Sequence, residues 1–307
     1  MSAKVTAVCA AGVVITAVAG CGDEGTSGGG DGADPGLSLV TGVYPLEWLA
    51  AQVGGDRVEV RNLTEPGVDP HSLELSPREI GRVSEAEVAF YITGLQPAID
   101  DAVAQEGAEN ALDVAGLVDL LPAGGEDDYG HDHGEEDPHM WLDPSRMSEA
   151  ADGLAEHLAE VDPEHADEYR ANAEASIEEL TEIDGEYAAT LEDCESRDIV
   201  ANHAAFGYLA EDYDLNQISV SGIDPESEPS PARMAEVADL VEEHDITTVF
   251  TETLAPPETA ETIAEETGAK TAVLDPLEGI TEESPGDDYP SVMRANLDEL
   301  GSALRCS

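Results

Sequence analysis

The chain has 307 residues and carries 69 acidic against 12 basic side chains, a formal charge of -57 at pH 7. A field of that sign repels phosphates and excludes nucleic acid as a natural partner. Apolar residues still make up 41% of the chain, enough to bury a core, and the length suits two ordinary domains. The acidity is read first as a solvated carboxylate surface suited to high salt, where the Debye length falls to ~3 Å near 1 M. Attraction of cations is the second reading, and it identifies no site.

At the N-terminus, Lys4 precedes an apolar run from Val5 to Ala19 and then small residues before Cys21, the layout of an export signal. The run is too short for a comfortable membrane span. Val18-Ala19-Gly20-Cys21 resembles a bacterial lipobox, in which Cys21 becomes the lipidated first residue. Residues 22–36, GDEGTSGGGDGADPG, have linker composition. The expected order is therefore a signal peptide at 1–20 and a lipidated tether at 21–36. Cys9 leaves with the signal, so Cys194 and Cys306 remain as an expected disulfide in an oxidising exterior. Closing so long a loop contributes ~4.7 kcal/mol in the chain-entropy model. Two free thiols or thiolate metal ligands are the alternatives, although neither cysteine lies in a CxxC pair.

After the tether, short β-branched runs alternate with amphipathic ones. LSLVTG leads to YPLEWLAAQVGG, VEVRNLT to a loop and SPREIGRVSEA, and VAFYIT to LQPAIDDAVAQEG. This is the pattern of βα units on a parallel sheet and predicts an α/β lobe over 37–143. Residues 144–193 lack strand signals. From Pro163, with Asp162 as its N-cap, apolar residues Ala166, Tyr169, Ala173, Ile177, Leu180, Ile183, Tyr187 and Leu191 recur at helical spacing. They predict one long rigid helix joining two lobes, each with its own core. DIVANHA, NQISVSG, TTVFTE and KTAVLDP, with helices between and after them, predict a second α/β lobe over 194–307.

Parallel sheets bind ligands beyond the carboxyl ends of their strands. His71 lies in the loop after the second strand and His139 precedes MWLDP. His203 ends DIVANHA, and Asp275 ends KTAVLD. Any one of these histidines alone reads as a loop or cap residue. Together, three imidazoles and one carboxylate, two from each lobe, make a four-coordinate set suited to zinc in the cleft between lobes. Such a set leaves no position for a catalytic water. Glu252, at another strand exit, reads either as a residue orienting a ligand or as a plain strand-end carboxylate. Glu74 and the PESEP loop could face the cleft or a partner, and His157, His165 and His244 read as surface residues.

The successive motifs GVDPHSLELSP, DPHMWLDP, NHAAFGYLA, GIDPESEPSP and TETLAPPETAETIAEETGAKTAVLDPLEGI resemble those of the zinc- and manganese-binding lipoproteins of bacterial ABC importers, the cluster A-I solute-binding family. The resemblance implies two lobes on one long helix, with the metal between them held by His71, His139, His203 and Asp275. It also implies a monomer anchored on the outer face of the cell membrane, delivering Zn2+ to a permease. A histidine at the third position, where manganese binders often have a carboxylate, favours zinc over manganese or iron. His131 and His133 resemble the family's acidic, histidine-containing loop and are candidates for auxiliary metal capture. The rival classes are an exported zinc hydrolase and a metal-dependent adhesin.

Overall fold

The computed structural model describes residues 36–106, 111–123 and 136–307. The expected signal peptide, most of the tether with Cys21, and His131 and His133 lie outside the described residues. Strands β1 (Leu37–Thr41), β2 (Val58–Asn62), β3 (Val88–Tyr91) and β4 (Ala111–Asp113) form a parallel sheet in the order β2-β1-β3-β4. Helices α1 (Tyr44–Gly54), α2 (Pro77–Glu85) and α3 (Pro97–Glu106) connect or flank them. The second half repeats the plan. Strands β5 (Asp198–Ala201), β6 (Asn216–Ser219), β7 (Thr248–Thr251) and β8 (Lys270–Val273) pair in the order β6-β5-β7-β8, also parallel. Helices α6 (Gly207–Asp212), α7 (Pro231–Glu243), α8 (Glu258–Thr267) and α9 (Tyr289–Leu304) accompany them. Among the strands of the described residues, β4 is the one that sequence reading missed, because three residues are too few for any alternation to register.

Between the sheets run α4 (Pro144–Val161) and the 26-residue α5 (Ala166–Leu191), about 39 Å long at 1.5 Å per residue. Asp143 caps α4, accepting from the backbone N–H groups of Ser145 and Arg146, with Pro144 in the first turn. The long helix starts three residues later than the sequence suggested. Asp162 does not cap it. Its carboxylate lies 2.6 Å from His165 Nδ1 and accepts a 2.8 Å bond from the Tyr169 hydroxyl, which fixes the turn between α4 and α5. His165, expected on the surface, is half-buried in that turn.

The two sheets share one core, which corrects the expectation of two separate ones. It takes in Leu39 and Phe90 of the first sheet, Leu49 of α1, Leu154 of α4, Leu180, Ile183 and Tyr187 of α5, Ile199 and Phe250 of the second sheet, and Leu300 of α9. Successive strand residues point to opposite faces, so the neighbours of these residues fill outer layers. Val40 packs with Val83 of α2 and Ile99 of α3, and Val200 with Val237 of α7 and Ile263 of α8. The continuity arises because α5 presents one buried face along its length, from Tyr169 to Leu191. Near its C-terminal end the Tyr187 hydroxyl donates to the Met293 carbonyl of α9 at 2.6 Å. Among the described residues no helix is long and apolar enough to cross a membrane.

Just beyond α5, Cys194 forms a disulfide with Cys306 across a separation of 112 residues. Flanking backbone bonds from Ser196 to Leu304 and from Ser307 to Asp193 hold the chain end in place. The cross-link closes the whole second half onto the end of the connecting helix. Replacing both cysteines by serine is expected to lower unfolding free energy by about 2–5 kcal/mol, checked by denaturant unfolding of the two proteins. Reductant should then lower the stability of the parent only.

Candidate metal centre

A proline has no N–H, so an aspartate preceding it finds its first free backbone donor two residues on. The chain uses this device repeatedly. Asp69, Asp137, Asp143, Asp224 and Asp275 each precede a proline, and each carboxylate accepts from the N–H two positions later, at 2.7–3.0 Å. In the first two cases the residue so fixed is a histidine, His71 or His139. Both lie at short 3-10 turns, Pro70–Ser72 and Met140–Leu142, beyond the sheet edge. His203 follows β5 directly. Its backbone N–H donates to Glu252 Oε1 at 3.1 Å.

Four donor atoms, one each from His71, His139, His203 and Glu278, lie within 4.8 Å of one another. Glu278 Oε1 is 3.0 Å from His71 Nε2, 3.4 Å from His139 Nε2 and 3.3 Å from His203 Nε2. The Nε2 atoms of His71 and His139 are 3.3 Å apart. The side chains of His139 and His203 are fully buried, and those of His71 and Glu278 retain only 7% and 2% of their exposure. The far nitrogens of two rings are anchored by carboxylates: His139 Nδ1 lies 2.7 Å from Asp137 Oδ1, and His203 Nδ1 lies 2.7 Å from Glu252 Oε2. With Nδ1 as donor, each ring directs Nε2 inward.

Electrostatics follow the same geometry. Burial alone would depress the His139 imidazole, but the charge and hydrogen bond of Asp137 outweigh it and raise its pKa. Burial of His203 is likewise outweighed, by the charges of Glu252 and Glu278, and its pKa stands well above the usual histidine value. Burial would raise Glu278, yet the charges of His203 and His71 hold it well below the usual carboxylate range. His203 Nε2 remains buried without a hydrogen-bond partner, because Glu278 at 3.3 Å lies off the bonding direction. A buried polar nitrogen left without a partner costs about 1–3 kcal/mol, and a metal ion at the centre of these four atoms removes that cost. The donor set fits a tetrahedral zinc site.

Three of the four residues expected to bind metal are brought together, and the fourth is corrected. Asp275 is fully buried but is not among the clustered donors. Its Oδ1 accepts from Leu277 N–H at 2.8 Å and its Oδ2 from the Thr253 hydroxyl at 3.1 Å. Asn296 of α9 clamps its backbone from both sides, at 2.9 and 2.7 Å. Burial raises its carboxyl to about 6 against the bonds from Leu277 and Thr253. It is a turn-forming residue like Asp69 and Asp137. The turn it builds puts Leu277 in the left-handed region, φ 61°, and the chain then presents Glu278 to the site. The signal was available: in DPLEG the Asp belongs to the same Asp-Pro device as the two DPH stretches, so the ligand is to be sought after it. Asp137 was missed for the same reason. Glu74 is exposed and stands outside the cluster.

Comparison with known proteins also points to zinc. The family model described as zinc-uptake complex component A, periplasmic, matches residues 39–303. The zinc-binding lipoprotein AdcA of Streptococcus pneumoniae (strain ATCC BAA-255 / R6) is 36% identical over 280 residues, which cover 87% of this chain and 56% of that protein. The chain therefore spans little more than half the length of the first curated relatives it matches. The high-affinity zinc uptake system protein ZnuA of Bacillus subtilis (strain 168) is 32% identical over 300 residues, 94% of this chain and 93% of that one. Among solved structures, the laminin-binding protein Lmb of Streptococcus agalactiae, described as bifunctional with adhesin and metal-transporting activity, superposes with a TM-score of 0.78. It is 32% identical, covering 88% of this chain and all of that one.

The charge arrangement gives a pH signature. Imidazoles whose folded pKa is raised stabilise the metal-free chain fully below the unfolded histidine value of ~6.5, and lose that contribution as pH rises through their folded values. Glu278, held low, contributes stability that is present above the unfolded glutamate value of ~4.3 and lost as pH falls through its folded value. Glu278→Gln removes the central charge. The fall in stability of metal-free protein above pH ~6.5 should become shallower in this variant, measured by thermal unfolding from pH 5 to 9 in chelator. The His203 imidazole, followed by NMR titration, should shift towards the ordinary histidine value.

Proposed function

We propose that this chain, which belongs to the periplasmic zinc-uptake complex component A family, is an exported receptor that captures Zn2+ through His71, His139, His203 and Glu278 and delivers it to an ABC-type permease. The observation that carries the reading is the buried, partnerless Nε2 of His203, aimed at the group of donors that the other three residues complete. Three imidazole nitrogens and one carboxylate oxygen favour zinc over the harder manganese ion, which prefers oxygen. A complete four-donor set leaves no open coordination position for a metal-bound water, so the site is built to hold and release its ion rather than to hydrolyse with it.

The remaining parts of the proposal follow from the sequence. Cys21 carries a lipid that anchors the receptor to the outer face of the cell membrane, with residues up to 36 as its tether. The lobes correspond to 37–143 and 194–307, joined through 144–193, and the receptor works as a monomer. His131 and His133, on the acidic stretch ahead of His139, capture zinc weakly and raise its local concentration near the cleft.

Competition against a chromophoric chelator, using chain that starts after Cys21, is expected to give one tight zinc equivalent and much weaker manganese. His203→Ala and Glu278→Ala should each weaken zinc by more than the about 10–100-fold that loss of an outer-shell partner costs. Asp275→Asn keeps an oxygen for the Leu277 N–H and should cost no more than the about 10–100-fold of a residue that only supports a ligand. Loss of binding in Asp275→Asn with retention in Glu278→Ala would reverse the assignment of the fourth ligand.

A further inference from the structure

The ligand loops of the two halves are tied to each other by side chains that touch no ligand atom of the cluster. Trp141 lies two residues after His139 and is fully buried. Its indole N–H donates to the Pro276 carbonyl at 2.7 Å, and Pro276 lies two residues before Glu278. The indole also meets the His139 ring edge-to-face, centroids 5.2 Å apart. The Trp141 carbonyl accepts from the Tyr289 hydroxyl at 2.6 Å, and Tyr289 stacks on Trp48 of α1 at 4.7 Å. One rigid side chain is therefore fixed at its backbone by the core. It leans on the first half's ligand and holds the carbonyl that precedes the second half's carboxylate. The segment it holds includes the left-handed Leu277, a conformation that a non-glycine residue keeps only when its surroundings determine it.

We infer that Trp141 is a positioning residue for the metal site: its Nε1–H to Pro276 brace holds Glu278 at the distance from His139 that four-fold coordination requires. The inference rests on the zinc-site reading above and adds to it the device that sets the spacing of the donors. Trp141 acts through Glu278, so its contribution depends on the carboxylate being present. A merely structural role would weaken binding regardless of what stands at 278.

The test is a double-mutant cycle on zinc affinity, using Trp141→Phe, Glu278→Ala and the pair, each measured by chelator competition on full-length mature chain. Trp141→Phe should weaken zinc about 10–100-fold in the parent and less than about threefold in the Glu278→Ala background, the non-additivity of residues that act together. Parental affinity in Trp141→Phe, or an equal fold-loss in both backgrounds, overturns the inference while leaving the ligand set intact. Unchanged affinity in Glu278→Ala alone overturns the ligand assignment, and the inference with it. Should Trp141→Phe not fold, the parent decides. Its Trp141 indole N–H resonance, assigned against Trp48→Phe, should be protected from solvent exchange with and without zinc, and rapid exchange in the zinc-loaded protein would overturn the brace.

Discussion

The structure turns on one electrostatic constraint: a carboxylate and three imidazoles are buried together, with their donor atoms converging on a common centre. Lone pairs in a low-dielectric interior must be met by a hydrogen, a cation or each other. The carboxylate of Glu278 meets three Nε2 atoms at 3.0–3.4 Å. One nitrogen, on His203, is still left without a bond. Zinc resolves the same constraint with one ion, releasing the protons it displaces. Binding and pH are linked at this site because proton and metal compete for the same lone pairs.

Holding that arrangement requires rigidity from residues that do not bind. Asp137 and Glu252 anchor the outer nitrogens of two rings, and Glu252 also fixes the His203 backbone. Around them lies a second layer. Tyr208 accepts from the Leu121 N–H at 2.9 Å and donates to the Asp137 carbonyl, so a residue of the second half steadies the loop of a first-half ligand. Arg146 lies over the Tyr208 ring, 4.8 Å from its centroid, and bonds Asp143 and Glu211. In a chain with so few cations, this one joins the start of α4 to the end of α6 at the height of the site.

The shared core explains how the halves keep register. A site assembled from loops of two sheets needs those sheets held in a fixed relation. The long α5, buried along one face and joined by α4 and α9 in one apolar cluster, supplies that frame. The disulfide closes the frame where α5 ends and the chain terminates.

Read without coordinates, the chain already yields the α/β class, seven of the eight strands found among the described residues, the long amphipathic helix and the family. These depend on local periodicity and on motifs that survive in order along the chain. It also picked out His71, His139 and His203, because the rarity of histidine and its position at strand exits are visible without coordinates. For the fourth donor the sequence offered only the Asp-Pro pattern ahead of Glu278. Asp275 and Glu278 are both buried carboxylates three positions apart, and only the left-handed turn at Leu277 and the bonds from Thr253 and Asn296 fix which one faces the site. Tertiary structure likewise decided that the two halves share a core and that Asp162 serves the turn rather than the helix. Those outcomes rest on contacts between residues distant in sequence, such as Asp275 with Asn296 or Trp141 with Pro276, for which periodicity carries no signal.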